Sequence, residues 1–306
     1  MAEKVKMDIQ NKDRRTRKVI LRAAVFVLIA LDAAILGGYL KIQFGGECPL
    51  VEIHLSRDRS LAQAAAGVSL QRTEAGLDLW NTRSGGIWTV HGEAGLPFLI
   101  WEQQRDIYEP SGHQVRRGDV VLDCGANIGV FVWKALSRGA GLVVAIEPSP
   151  RTLDALRRNF ESEIRAKRVI VYPKGVWSRD AEMELTINET NQGANSVLPG
   201  EGLPKVRVPL TTIDKIVAEL DLRRVDFIKM DIEGAEKEAL RGASDTIKRF
   251  RPRMSISSEH LDDDFTAIPA VVKSIEPRYS YRGCDCDKRP RTWKWRALVI
   301  AFDPLR

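Results

Sequence analysis

The sequence predicts an α/β domain, a mostly parallel sheet with helices on both faces, preceded by an N-terminal membrane-anchor helix. Three observations carry that expectation. From Gly118 onward, short apolar strands alternate with helices, the order that builds a parallel sheet covered on both sides. The first of these strands runs into a glycine-bearing turn, Asp123 to Gly129, ahead of a helix. A long apolar stretch also follows a basic N-terminal arm.

Residues 1–18 are polar and basic. The first 22 residues hold eight Lys or Arg against three acids, a net +5 out of the chain's +6, so the remainder is nearly neutral. That distribution argues against a nucleic-acid-binding face on the main domain. Residues 19–40 read as a single-pass anchor, since ~20 apolar residues cross a bilayer. Asp32 interrupts the stretch and Gly37-Gly38 soften it. A cleaved signal peptide fits less well because no small-x-small site closes the run. An interfacial helix with Arg22 and Asp32 on one polar edge is the other alternative.

Residues 41–117 read as a cap packed on the main domain and shaping its pocket. Within it, Asp58 to Leu70 predicts a short helix, and Gly76 to Trp88 a hairpin turning at Gly85-Gly86. Residues 118–306 read as one domain. Strands are expected at Val120–Leu122, Leu142–Ile146, Val169–Tyr172, Phe227–Met230 and Met254–Ser257. Helices are expected at Val130–Leu136, Thr152–Phe160 and Ala235–Phe250, a hairpin from Met183–Ile187 and Val206–Val208, and a last strand at Trp295–Phe302. The four cysteines make no zinc pattern, Cys284 and Cys286 having no second pair or histidine nearby, and read as free thiols.

Chemistry concentrates at three strand ends. In Asp123-Cys124-Gly125-Ala126-Asn127-Ile128-Gly129 the glycines bring backbone close to a ligand, and Asp123 can balance a cationic one. Glu147 stands twenty-two residues after Gly125, at the end of the next strand. That spacing suits an acid accepting hydrogen bonds from a ribose diol. A nicotinamide dinucleotide has such a ribose too, but its pyrophosphate needs Gly-x-Gly-x-x-Gly, and Asn127 stands at the second glycine. S-adenosylmethionine has no phosphate, so the acid-led loop suits it better. The candidate cofactor residues are Asp123, Gly125, Ala126, Asn127, Gly129 and Glu147. The second strand end, Asp226 to Glu236, places Asp231 at the carboxyl edge where ligands of open α/β sheets bind. Glu233 and Glu236 read equally well as helix caps.

These pieces, with Thr212-Ile213-Asp214 between them, resemble the FkbM family of methyltransferases over about Val120 to Ser258. The resemblance implies the class I methyltransferase fold and, as a rule, O-methylation of a hydroxyl. Cys124 departs from the small aliphatic residue common in that family. The third strand end, Ser258-Glu259-His260, adds a general-base candidate, because His260 has the intrinsic pKa for taking a hydroxyl proton. Asp231 and His260 are therefore the catalytic candidates. No metal ligand set is assigned; Asp231 with Glu259 or His260 is the minor alternative. Asn195-Ser196, in the polar loop from Asn188, is placed near the pocket or in a solvated turn. Asp262-Asp263-Asp264 reads as a helix cap.

The expectation is thus a membrane-anchored methyltransferase acting on a small-molecule, glycan or lipid acceptor. The basic arm predicts an N-terminus on the cytoplasmic side, which would put the main domain outside. The cofactor and thiols favour the cytosolic side despite that rule, through a segment that does not fully span or a chain oriented against it; a lumenal domain supplied with imported cofactor is the third way out. Two other classes remain: an NAD(P)-binding enzyme on the same sheet, and a membrane scaffold with a degenerate pocket.

Overall fold

The computed structural model describes residues 39–42, 51–54, 67–188, 195–198, 202–288 and 295–305. Most of the expected anchor, residues 19–38, lies outside them. Its last two positions, Tyr39 and Leu40, are not helical: they open β1 (Tyr39–Ile42), which pairs antiparallel with β2 (Val51–His54) in a separate compact unit. Among the described residues no helix is long and apolar enough to cross a membrane.

The main unit is built on β6 (Val120–Cys124), β7 (Leu142–Ile146), β8 (Val169–Tyr172), β12 (Phe227–Met230), β13 (Arg253–Ser257), β14 (Tyr279–Lys288) and β15 (Trp295–Pro304). Their order is β14-β15-β13-β12-β6-β7-β8. The five strands from β13 to β8 run parallel, while β14 and β15 close the edge antiparallel. Successive strand residues point to opposite faces, and here both faces are apolar. Leu122, Val144, Ile228 and Ile256 pack against α5 (Ile213–Glu219), α6 (Glu236–Arg241), α7 (Ser244–Phe250) and α8 (Asp264–Ile275). Their neighbours Val121, Val143 and Phe227 pack against α2 (Val130–Ser137) and α3 (Pro150–Asn159). The short α4 (Glu161–Arg165) follows directly.

A second sheet has the order β10-β11-β9, from β9 (Gly175–Val176), β10 (Ala181–Thr186) and β11 (Lys205–Thr211). The expected hairpin is its β10–β11 pair. The cap is a third, antiparallel sheet of β3 (Ser69–Glu74), β4 (Leu77–Thr82) and β5 (Gly85–Val90), followed by α1 (Leu96–Gln104). Leu77, Ile87 and Leu96 bury themselves against Ile128 and Ala155 of the main domain. Asn159 pins the two together: its amide donates to the carbonyls of Trp88 and Ile128 and accepts from the Trp88 N–H, each within 2.9 Å.

Three local expectations need correction. Ser69 and Leu70 are strand, not the end of a helix, and residues 58–66 lie outside the described ones. The hairpin turns at Arg83-Ser84, since Thr82 pairs with Gly85, so Gly85-Gly86 already belong to β5. The single helix over Ala235–Phe250 is two, α6 and α7. The Asp214 carboxylate accepts from the N–H groups of Asp245 (3.0 Å) and Thr246 (2.7 Å), starting a new helix there. Those are the donors a fresh helix N-terminus leaves unpaired.

Candidate functional site

A cleft opens at the carboxyl ends of β6, β7, β12 and β13, where ligands of open α/β sheets bind. It is lined by Gly125, Ala126, Asn127, Glu147, Asp231 and His260 among others, with Phe98 and Leu99 of α1 on one side. Six of the eight candidate residues therefore meet in one place. Asp123 and Gly129 lie behind the lining.

The first wall is the loop after β6. Gly125 sits at φ +77°, and a Cβ there would fall onto the Asp231 carbonyl oxygen, so only glycine lets the two strand ends approach. Gly129, at φ +94°, faces the Phe160 ring in the same way and serves packing of α2 on α3. The loop's amides are already used. Gly125 and Ala126 donate to the Ile146 carbonyl at 3.0 Å each, Asn127 to Glu147 Oε2 at 3.0 Å, and Ile128 to Asn127 Oδ1 at 2.7 Å. The expectation that these N–H groups reach a ligand is thus corrected: they brace the loop. The loop amides from Gly125 to Ile128 are thus not free for a pyrophosphate, against the dinucleotide reading.

Glu147 is the loop's counterpart on β7. Its Oε1 accepts from the Ser149 N–H at 2.8 Å, and its Oε2 from Asn127. A carboxylate has about four lone-pair sites, so each oxygen keeps one acceptor for a ribose diol. Burial pushes its pKa up to about 7, against the lowering pull of those two amides and of Lys229. Asp123 is fully buried and neither oxygen has a hydrogen bond. Its one compensation is the ammonium of Lys229 at 3.3 Å. Burial raises it to about 6 even so.

Lys229 lies within the Asp226–Glu236 stretch with no role assigned from the sequence, yet it ties the site together. Its Nζ donates to the Gly125 carbonyl at 2.8 Å and lies 5.2 Å from the centre of the Tyr108 ring. The readable signal was a charged residue inside the apolar strand Phe227-Ile228-Lys229-Met230, because a buried charge is nearly always paired. Tyr108 had no such signal. It reaches in from the segment after α1 and donates its hydroxyl to Asp231 Oδ2 at 2.7 Å. Burial and the Asp231 charge hold its own pKa well above the ordinary value.

The second wall is acidic. Asp231 directly follows β12, and the next turn carries Glu233 at φ +55° before Glu236 opens α6. β13 lies parallel beside β12 and delivers His260 to the same place. The imidazole Nε2 stands 3.5 Å from both Asp231 Oδ1 and Glu233 Oε1, and Nδ1 is 3.1 Å from Glu236 Oε1. Burial opposes a charge on His260, but these carboxylates outweigh it and push the pKa up to about 12. A ring already protonated has no lone pair to offer, so the general-base expectation meets an imidazolium held among carboxylates. Burial likewise favours neutral Asp231, but Lys229, His260 and Tyr108 hold its carboxyl below the usual range. Burial raises Glu233.

The remaining motif residues are structural. Thr212 caps α5 by accepting from the Lys215 N–H at 3.0 Å, and Asp214 caps α7 as described. Asp264 accepts from the Leu261 N–H at 2.6 Å and pairs with Lys237 at 3.0 Å. Asn195 lines the cleft, while the Ser196 hydroxyl donates to the Glu233 carbonyl at 2.8 Å and so supports the acidic turn.

Several known proteins are similar to this chain. A protein from Beauveria bassiana named methyltransferase 1 is 29% identical over 147 residues, covering 41% of this chain and 58% of its own length. The 31-O-demethyl-FK506 methyltransferase FkbM of Streptomyces tacrolimicus is 29% identical over 192 residues, covering 52% of this chain and 74% of that protein. The hexuronic acid methyltransferase AglP of Haloferax volcanii is 23% identical over 184 residues, 60% of this chain and 66% of that one. A solved methyltransferase FkbM structure from Methylobacillus flagellatus aligns with 80% of this chain and 58% of its own, at 19% identity and a TM-score of 0.47. Residues 123–283 match the methyltransferase FkbM domain. That match takes in more than half of the chain and both walls of the cleft: the protein belongs to the FkbM family of S-adenosylmethionine-dependent methyltransferases.

Proposed function

We propose that the protein methylates a hydroxyl oxygen of a small-molecule, glycan or lipid-linked acceptor bound against the acidic wall. The observation behind this is the meeting of Asp231, Glu233 and His260 on the same cleft as Glu147 and the Gly125 loop. S-adenosylmethionine, when bound, supplies an electrophilic methyl group on a sulfonium. Glu147 is the acceptor for its ribose hydroxyls. Lys229 fixes the Gly125 carbonyl and thereby the loop on which the cofactor rests. Asp231, held by Tyr108, orients the acceptor hydroxyl for in-line attack, and orientation is the main lever in such a displacement. Methyl transfer to that oxygen would leave the cofactor as its neutral thioether, and the carboxylates around His260 would take up the hydroxyl proton. Phe98 and Leu99 supply apolar surface beside them. Two relatives support this acceptor class by name, one acting on a 31-O-demethyl compound and the other on a hexuronic acid.

The test is transfer of label from methyl-labelled cofactor to a total cell extract, with fractionation of the product. An O-methyl ether that depends on intact Asp231 is expected, the Asp231→Asn variant serving as control. Label on nitrogen or carbon, or equal labelling by the variant, would overturn the reading. Residues 19–38 are proposed as the anchor, with the catalytic domain on the cytosolic side. Protease protection in intact and opened vesicles checks both points.

A further inference from the structure

We infer that Asp231, Glu236 and His260 form a binding site for a divalent cation of the Mn2+ class on the acidic wall. The use of that ion, though not its presence, rests on the methyl-transfer reading. The three side chains come from the end of β12, the first turn of α6 and the segment after β13. Each brings one ligand atom to within 4.8 Å of the others. An ion with ~2.1 Å bonds sets neighbouring ligand atoms ~3 Å apart, so the cluster contracts onto it.

An independent feature also points to a cation. Glu236 is fully buried, and its Oε2 has no hydrogen-bond partner. Its other oxygen is engaged, accepting from the Ile232 N–H at 2.9 Å and touching His260. A carboxylate oxygen without a donor is costly in a site closed to water. The charge balance leans the same way. Three carboxylates, Asp231, Glu233 and Glu236, surround a single imidazole, which can neutralise one of them at most. Lys229 of the same cleft is already engaged by Asp123 and the Gly125 carbonyl.

The ligand set narrows the ion. Carboxylates suit Mg2+, Ca2+ and Mn2+, whereas an imidazole nitrogen favours first-row transition metals. Binding displaces the proton that His260 carries among the carboxylates, and one nitrogen with two carboxylates then selects Mn2+ or a close neighbour. Asp231 and His260 line the cleft, and Glu236 stands behind them. An ion held from that side keeps its open positions toward the acceptor, where it lowers the pKa of a hydroxyl it touches.

The full chain, stripped with chelator and desalted, is titrated with Mn2+ while the free-ion electron paramagnetic resonance signal is followed. One ion per chain should be taken up, and a nitrogen coupling should appear in the bound spectrum. Glu236→Gln, which keeps the shape of the site, and His260→Asn should each weaken binding roughly tenfold or more. His260→Asn should also lose the nitrogen coupling. Calorimetric binding of S-adenosylhomocysteine to all three proteins checks the cofactor cleft separately, so failure of the cleft and failure of the metal site are told apart. An undiminished Mn2+ signal with the unaltered chain, or unchanged uptake by both variants, overturns the inference.

Discussion

The two walls of the cleft solve opposite problems with similar residues. Around the β6 loop every amide from Gly125 to Ile128 has an acceptor inside the protein, and the buried Asp123 is answered by Lys229. Around the β12 end, three carboxylates share one imidazole and a buried oxygen of Glu236 has no donor. The first wall has its amides bonded and its buried carboxylate charge-balanced by an ammonium before any ligand arrives. The second carries more negative charge than its own residues neutralise. A cofactor cradle gains from rigidity, because affinity lost to ordering is saved. A wall that must receive a hydroxyl and its proton gains from unsatisfied acceptors.

The two walls meet most closely at Gly125. An added methyl would collide with the Asp231 carbonyl, joining the two walls by a clash. Gly125→Ala should abolish measurable S-adenosylhomocysteine binding and lower the melting temperature. Gly76 has a similar φ of +76° but open space around it. Gly76→Ala should therefore cost only about 1 kcal/mol of left-handed strain and leave binding intact. Lys229→Met comes next. It strands a buried carboxylate, a change that typically costs about 3–5 kcal/mol. Asp123→Asn in the same chain should recover much of that loss in chemical denaturation, since the pair rather than the lysine is what the fold needs. If the double variant is no more stable than Lys229→Met, the first wall is not balanced as described.

The walls also differ in their response to pH. Glu147 has its pKa raised by burial from 4.5 to about 7. In the free protein the charged form is the disfavoured one, so this residue's contribution to stability is full below about 4.5 and lost as pH rises through about 7. A ribose diol donates to the charged carboxylate, so cofactor binding runs the other way. Affinity for S-adenosylhomocysteine should rise roughly tenfold from pH 6 to pH 8, following the ionised fraction. Glu147→Gln should bind more weakly and lose most of that slope. A variant that keeps the slope would assign it to a different group.

What could be read in advance follows the same division. Strands buried on both faces are near-continuous apolar runs, which made β6, β7, β8, β12 and β13 legible. Loop residues fixed by backbone geometry, Gly125 and Asn127, were legible through their spacing to Glu147. The roles within the loop were not, because spacing does not tell which way an amide points. Asp123 and Gly129 belong to the same motif and yet serve charge balance and packing. Tyr108 enters from a segment without periodicity and meets Asp231 across 123 positions of sequence, a contact that only the tertiary fold creates. The break between α6 and α7 was hidden for the same reason, since Asp214 imposes it from thirty-one residues away.

That break supplies the mildest test. If Thr212-Ile213-Asp214 belongs to the scaffold and not to either wall, Asp214→Ala removes two hydrogen bonds at the α7 N-terminus and nothing else. Lost caps of this kind cost about 1 kcal/mol, seen as a small fall in the denaturation midpoint. Affinity for S-adenosylhomocysteine and uptake of Mn2+ should both stay at the level of the unaltered chain. A change in cofactor affinity would mean that α6, whose first residue is Glu236, moves with its neighbour. The acidic wall would then owe its shape to this distant cap, and the two walls would differ in how far their supports reach as well as in charge.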